Sequence, residues 1–225
     1  MKNNRIPLAV GVTGHRDLRD EDLPRLRSII GKIFADLKAA YPGSPIILLS
    51  ALAEGADRLA AHVALEQGME LIVPLPMPLE DYRSDFKTAE SRNEFAEMLK
   101  KAKEVFVSPG VPEVEPVEPG RHESRSRFYA RVGHYIDKHS HILLALWDGD
   151  PAEKTGGTSQ VVRQKREELP YAHRSDWAIL DPARSDAVFH VMTPRQSNPN
   201  PPGAFEVRKT YANASGAERG GESRQ

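Results

Sequence analysis

Apolar residues follow two rhythms along this chain: short unbroken runs, and stripes at helical spacing. Ile46 to Leu49 is a run of strand length, and Ala56, Leu59, Ala60, Val63 and Ala64 then recur at intervals that place them on one helix face. Gly68 stops that helix and Leu71 to Leu75 starts a second run. Strand, crossover helix and strand in that order demand a parallel pair. Ile6 to Val12 predicts an earlier strand, and Leu23, Leu26, Ile30, Ile33 and Leu37 predict the helix after it, with Asp20 or Asp22 as cap and Pro24 in the first turn. Thr88 to Ala102 reads as a helix with Phe95, Leu99 and Ala102 inward, and Glu104 to Val107 as a fourth strand. Ser124 to Lys138 is a further helix with Tyr129, Val132, Gly133 and Ile136 inward. His141 to Trp147 suits a strand covered on both faces, Thr158 to Leu169 a charged surface helix, and Ala187 to Met192 a sixth strand at the sheet edge.

This alternation predicts an α/β fold, Rossmann-like and doubly wound, with a mainly parallel sheet of five to six strands and helices on both faces. Pro74 to Phe86, carrying Tyr82 and Arg83, reads as a proline-punctuated loop, and Ser108 to Gly120, with four prolines and three glutamates, as an exposed one. Residues 1–193 are expected to form one domain. From 194 to 225 the composition turns to Pro, Asn, Ser, Gly and Arg, which predicts a disordered tail or a linker to an effector domain.

Length and charge narrow the picture. The 225 residues suffice for one well-buried α/β domain, and 31 basic against 32 acidic side chains leave a net charge of −1. Such neutrality gives no global attraction to nucleic acid or to an anionic membrane, so neither is expected as a partner. The absence of cysteine excludes disulfides, thiolate zinc sites and cysteine nucleophiles together. No run reaches the length of a signal peptide core or a membrane span, and a soluble cytoplasmic protein is expected.

Parallel sheets of this kind bind ligands at the carboxyl ends of their strands. Three loops are predicted to meet there. The first is Gly11 to Arg16, where Arg16 offers a bidentate grip on phosphate, Thr13 a hydroxyl, and Gly11, Gly14 and His15 a close backbone. The second, Ser50 to Asp57, sets Ser50, Ala51, Glu54, Gly55 and Asp57, with Arg58 next in the chain, at a helix N-terminus, which presents unpaired donors to an anion. The third runs from Asp148 to Ser159 and offers Gly156, Gly157, Thr158 and Ser159 at another helix start. Each has a plainer reading: small residues let a helix approach the sheet closely, and Asp57 is well placed for the helix dipole. The spacings GxxxxGK[ST] and GxGxxG are both missing, which disfavours an ordinary NTPase or dinucleotide dehydrogenase. His139 and His141 fall on different faces, so no metal site is assigned. The basic stretch from Arg121 to Lys138, interleaved with Phe128 and Tyr129, reads as the wet face of a helix or a nucleic-acid contact.

The segment SALAEGADRLAAHVALEQGMELIVPLP resembles the core of the DNA-processing protein A (Smf) family in Ser50, Ala53, Gly55-Ala56-Asp57 and Ala61-His62. His141 to Thr158 resembles the second half of that family and the glycine motif of the Lonely Guy phosphoribohydrolases. Together they resemble the SLOG superfamily over about residues 5 to 165, which implies a Rossmann-like domain binding a nucleotide or nucleotide-derived ligand. Members of that superfamily are enzymes or sensor domains fused to effectors of prokaryotic defence and signalling systems. The catalytic glutamate of the Lonely Guy pattern is replaced by Val161. The resemblance therefore implies a sensor first. The alternatives are an enzyme cleaving a nucleotide's base–ribose bond with Glu54, Asp57 or Asp148 as carboxylate, and a single-stranded DNA binder. No cofactor beyond the nucleotide is implied, and self-association is left open.

Overall fold

A computed structural model describes residues 5–109, 122–150, 158, 161–162 and 187–211. Strand β1 (Leu8–Gly14) leads through a short 3-10 turn to helix α1 (Leu23–Ala40), then β2 (Ile46–Leu49), α2 (Ala56–Glu66) and β3 (Glu70–Leu75). Next come α3 (Leu79–Arg83), α4 (Ala89–Lys101), β4 (Glu104–Val107), α5 (His122–Lys138), β5 (Ile142–Trp147), β6 (Ala187–Met192) and β7 (Val207–Tyr211). The strands form one sheet in the order β4-β3-β2-β1-β5-β6-β7, parallel throughout except that β7 runs antiparallel to β6. This is a Rossmann-like, mainly parallel α/β sheet.

Alternating side chains divide the sheet between two cores. Val10, Val12, Leu48, Leu71 and Val73 share one with Leu26, Ile30 and Phe34 of α1, Ala60 and Val63 of α2, and Phe95 and Met98 of α4. On the opposite face Ile47 and Leu49 meet Val132 and Ile136 of α5, while Leu143, Ala145, Trp147 and Val188 meet Val161 and Val162. All six residues of β5 are buried, as the unbroken apolar run requires of a strand covered on both sides. Val161, at the position of the missing glutamate, is thus a core residue.

Several local expectations change. The Asp22 side chain does not cap α1; its own backbone is already helical and its carboxylate lies 3.3 Å from Arg19. The supposed loop around Tyr82 contains the single-turn helix α3. In α4 the inward pair is Phe95 and Met98, with Leu99 and Ala102 only half-buried. The 108–120 loop lies outside the described residues from 110 onward.

The largest correction concerns the C-terminal segment. Residues 194–211 belong to the fold: Arg195 bridges to Leu18 and to Asn198, and β7 pairs with β6 from Ala187↔Tyr211 to Val191↔Val207. β6 is therefore an inner strand, and the sheet has a seventh. Composition is a poor guide here because backbone pairing along a preformed edge needs few apolar side chains. Truncation after Thr193 should strip β6 of its neighbour and leave a buried carboxylate without its arginine, a loss of about 3 kcal/mol or more. A melting temperature within a degree or two of the intact chain would contradict this placement.

Candidate functional site

The chain builds the sheet outward from β1 to β4 and then returns to β5 on the other side of β1, so the order reverses between β1 and β5. Ligands of open α/β sheets enter at the carboxyl ends of the strands beside such a reversal. Here the loops after β1 and β2 touch each other, and His15 of the first meets Asp148 at the end of β5.

Their glycines serve close approach. A Cβ on Gly14 would lie 2.4 Å from the Ala56 Cβ and 2.7 Å from the Leu146 carbonyl oxygen. One on Gly11 would lie 2.7 Å from Ile136. Gly55 has φ +78°, and a Cβ there would fall 2.5 Å from the carbonyl oxygens of His15 and Arg16. The Ala56 amide, first of α2, donates to His15 O at 3.0 Å, so the β1 loop itself covers this donor of the helix N-terminus. Ser50 Oγ accepts from the Leu52 amide at 3.1 Å, and Leu52 holds a positive φ of 57° with its side chain fully buried. Thr13 and Ala51 complete the half-buried and buried lining of this junction. The plainer reading of the small residues accounts for these contacts.

At the reversal itself sits Asp148, whose side chain has no exposed surface. Its Oδ2 accepts from Arg195 Nε at 2.8 Å and Asn198 Nδ2 at 3.1 Å, and its Oδ1 from the Asp150 amide at 3.2 Å. His15 Nε2 lies 3.0 Å from Oδ1 and 3.1 Å from the Asp148 amide, alternatives that belong to its two neutral tautomers. Burial acts to raise the Asp148 carboxyl, but bonds from Asn198, the Asp150 amide, His15 and Arg195 outweigh it and hold it at about 2. Burial lowers the His15 imidazole, against the pull of Asp148. With its oxygens spoken for by donors of the protein itself, Asp148 is a clamp. Arg195 and Asn198 carry no sequence signal; only the folded chain brings them to the rim.

Of the other carboxylates, Glu54 bonds to Ser91 Oγ at the start of α4. Beside it Arg58, almost fully buried, reaches Leu52 O, Ser91 and Glu94, and His62 meets Glu94 at 2.9 Å. That cluster ties α2 to α4. Asp57 differs: it is buried at the opening of α2, and burial pushes its carboxyl up to about 7, against Arg16, the Ala53 amide, Arg58 and the Ser50 hydroxyl.

Asp57 belongs to a polar and aromatic group that the sequence left unassembled. Tyr82 of α3 is fully buried, with its ring edge-on to Phe86, Phe95 and Tyr129 at 5.1, 5.6 and 6.2 Å. Its hydroxyl has no hydrogen-bond partner among the described residues, although the charges of Arg16, Asp57 and Arg58 all act on it. The Arg16 guanidinium stands 4.8 Å over the Tyr129 ring, and Tyr129 and Arg125 both bond to Asp85. Side chains from the loop after β1 and from α2, α3 and α5 thus gather around one unsatisfied hydroxyl. A regular spacing of Tyr82 with a neighbouring carboxylate would have flagged it, but the two are distant in sequence.

Gly156, Gly157 and Ser159 lie outside the described residues, and Thr158 is half-buried in a helical segment. His139 stacks on Tyr135 while the His141 Nδ1 accepts from the Ala9 amide, so the two histidines are separately engaged. Among the described residues no three His, Asp or Glu side chains converge as for a metal, and no helix is long and apolar enough to cross a membrane.

A carboxyl that titrates near 7 in the fold and near 3.8 when exposed makes the native state bind the extra proton between those values. Its stabilising contribution is complete below pH ~4 and is lost as pH rises to ~7. Denaturation midpoints of Asp57→Asn should therefore climb relative to the parent chain across that window and run parallel outside it. A difference that falls across the same window would overturn the assignment.

No family model and no curated protein matches the chain. Among solved structures it is similar to DNA processing protein A from Streptococcus pneumoniae, with 14% identity and a TM-score of 0.45 over 71% of this chain and 46% of that one. The chain thus spans less than half the length of that protein.

Proposed function

We propose that this chain is a sensor domain that binds a nucleotide or nucleotide-derived small molecule at the rim between β1 and β2. The observation that carries this reading is the unpartnered, buried Tyr82 hydroxyl facing the charges of Arg16 and Asp57. Leaving such a donor unsatisfied costs about 1–3 kcal/mol, which a ligand hydroxyl or base edge would recover once the side chains covering Tyr82 part to admit it. Arg16, braced on Tyr129 with part of its side chain at the surface, is the natural partner of a phosphate. Asp57 and Tyr82 suit ribose hydroxyls, and Ser50, Glu54 and Arg58 hold the α2 entrance in shape around them. An effector beyond the C-terminal segment, in a prokaryotic signalling or defence system, would read out occupancy.

A second reading has its own support. A buried carboxyl with a pKa of about 7 is a competent acid or base near neutrality, so Asp57 could serve cleavage of a nucleotide's base–ribose bond. Incubation with AMP, ADP-ribose and NAD followed by chromatography separates the two. Released base that disappears in Asp57→Asn supports the enzyme, and intact nucleotide supports the sensor.

The sensor reading predicts that a true ligand at a hundred times its Kd stabilises the fold by about 2.7 kcal/mol in a melting screen over nucleotides and cyclic nucleotides. Arg16→Ala should weaken that ligand about tenfold or more with little change in the unliganded melting point. Tyr82→Phe should leave the unliganded protein as stable or about 1 kcal/mol more so, because it deletes a hydroxyl with no protein partner, yet still reduce binding. Flat melting across every nucleotide would end the proposal.

A further inference from the structure

The two edges of the sheet are protected unequally. β7 presents Arg208 and Lys209, charges that discourage pairing with another strand. β4 reads Glu-Val-Phe-Val and, among the described residues, pairs only with β3. Val105 and Val107 are each 39% exposed on it, and Phe106 is half-buried against Tyr135 at 5.6 Å between ring centres. Beside Phe106 a hollow of about 370 Å³ opens between β3, β4 and α5, lined by Ile47, Leu49, Ile72 and Tyr135. Neither lysine, arginine nor proline stands within this strand, and the neighbouring Lys103 is engaged with Glu70 at 2.7 Å.

The free backbone groups specify what such an edge takes. The Ser108 amide donates inward to Leu75 O, so strand alternation turns the amides of Glu104 and Phe106 inward to β3 and leaves those of Val105 and Val107 facing outward. We propose that β4 is a dimerisation strand, which pairs antiparallel with β4 of a second copy of this chain about a two-fold axis at Phe106.

That register follows from the residues. An axis perpendicular to the sheet keeps like faces together and sets outward amides against outward carbonyls, so Val105 and the partner's Val107 form the hydrogen-bonded pair and Phe106 meets its mate as a non-hydrogen-bonded pair. Val105 then lies opposite the partner's Val107, joining the two exposed valines on one face. Glu104 falls opposite the partner's Ser108, so no like charges oppose each other. Shifting the axis to Val105 would set Glu104 against Phe106 and Lys103 against Val107, losing this match. Because the paired strands run in opposite directions, the two carboxyl-end rims point away from each other. Dimerisation therefore leaves both candidate ligand sites open and stands independently of what they bind.

The absence of cysteine makes a clean test. Phe106→Cys in the full chain places two thiols at a two-fold axis with Cα atoms about 4.5 Å apart, within disulfide reach. Mild oxidation should convert most of the variant to a covalent dimer, while Thr210→Cys on β7 should remain monomeric. Light scattering of the unmodified chain over a concentration series should show a doubled mass, lost in Val105→Lys/Val107→Lys with an unchanged melting point. A monomer at all concentrations overturns the proposal. So does a dimer unaffected by the lysines, or cross-linking at position 210 equal to that at 106. If the lysine variant melts early, the cross-linking comparison still decides.

Discussion

A carboxylate removed from water must be surrounded by donors, and Asp148 shows what that constraint does to a chain. Its two oxygens collect Arg195, Asn198 and the Asp150 amide, with His15 alongside. These groups come from the end of β1, the end of β5 and a segment beyond β6. Satisfying one buried charge thus draws the C-terminal segment across the top of the sheet and delivers β7 to the edge of β6. The desolvation cost of the carboxylate makes the arrangement cooperative, since loss of one donor leaves the charge buried and underpaired.

The same junction is crowded by design of its backbone. β1 is squeezed between α2 and β5, where Gly14 tolerates the Ala56 methyl and the Leu146 carbonyl, and Gly55 admits two carbonyl oxygens of the β1 loop. Close packing of this kind consumes backbone surface that a phosphate would otherwise use. A polar and aromatic cluster lies to one side, at Arg16, Asp57, Tyr82 and Tyr129, where long side chains from four segments meet. There the fold leaves a hydroxyl unsatisfied and a carboxyl with a raised pKa. Such local costs persist because the rest of the fold supports them.

Much of the architecture was legible because hydrophobic period maps directly onto backbone geometry. β2 falls on Ile46–Leu49 and β4 on Glu104–Val107, as the apolar runs indicate, and Leu26, Ile30, Ile33 and Leu37 face inward from α1. The failures share a cause. Asp22 was expected to cap a helix, yet it answers to Arg19; the segment after Thr193 was expected to be a tail, yet it answers to Asp148 and the β6 edge. Each depends on a partner that local pattern does not contain. The site divides likewise: the three rim loops could be named from strand ends, while Tyr82, Tyr129, Arg195 and Asn198 could not.

By itself, then, the sequence determined where strands and helices lie and that most strands run parallel, because 2.0- and 3.6-residue periods and crossover lengths are properties of neighbouring residues. It also determined that cysteine chemistry plays no part. Only the tertiary structure decided which polar groups are spent and which are spare: Asp148 saturated, Glu54 tied to Ser91, Asp57 buried beside Arg16, and the Tyr82 hydroxyl alone. Hydrogen-bond satisfaction is settled by atoms a few ångströms apart in space and far apart along the chain, and that adjacency exists only once the sheet has formed.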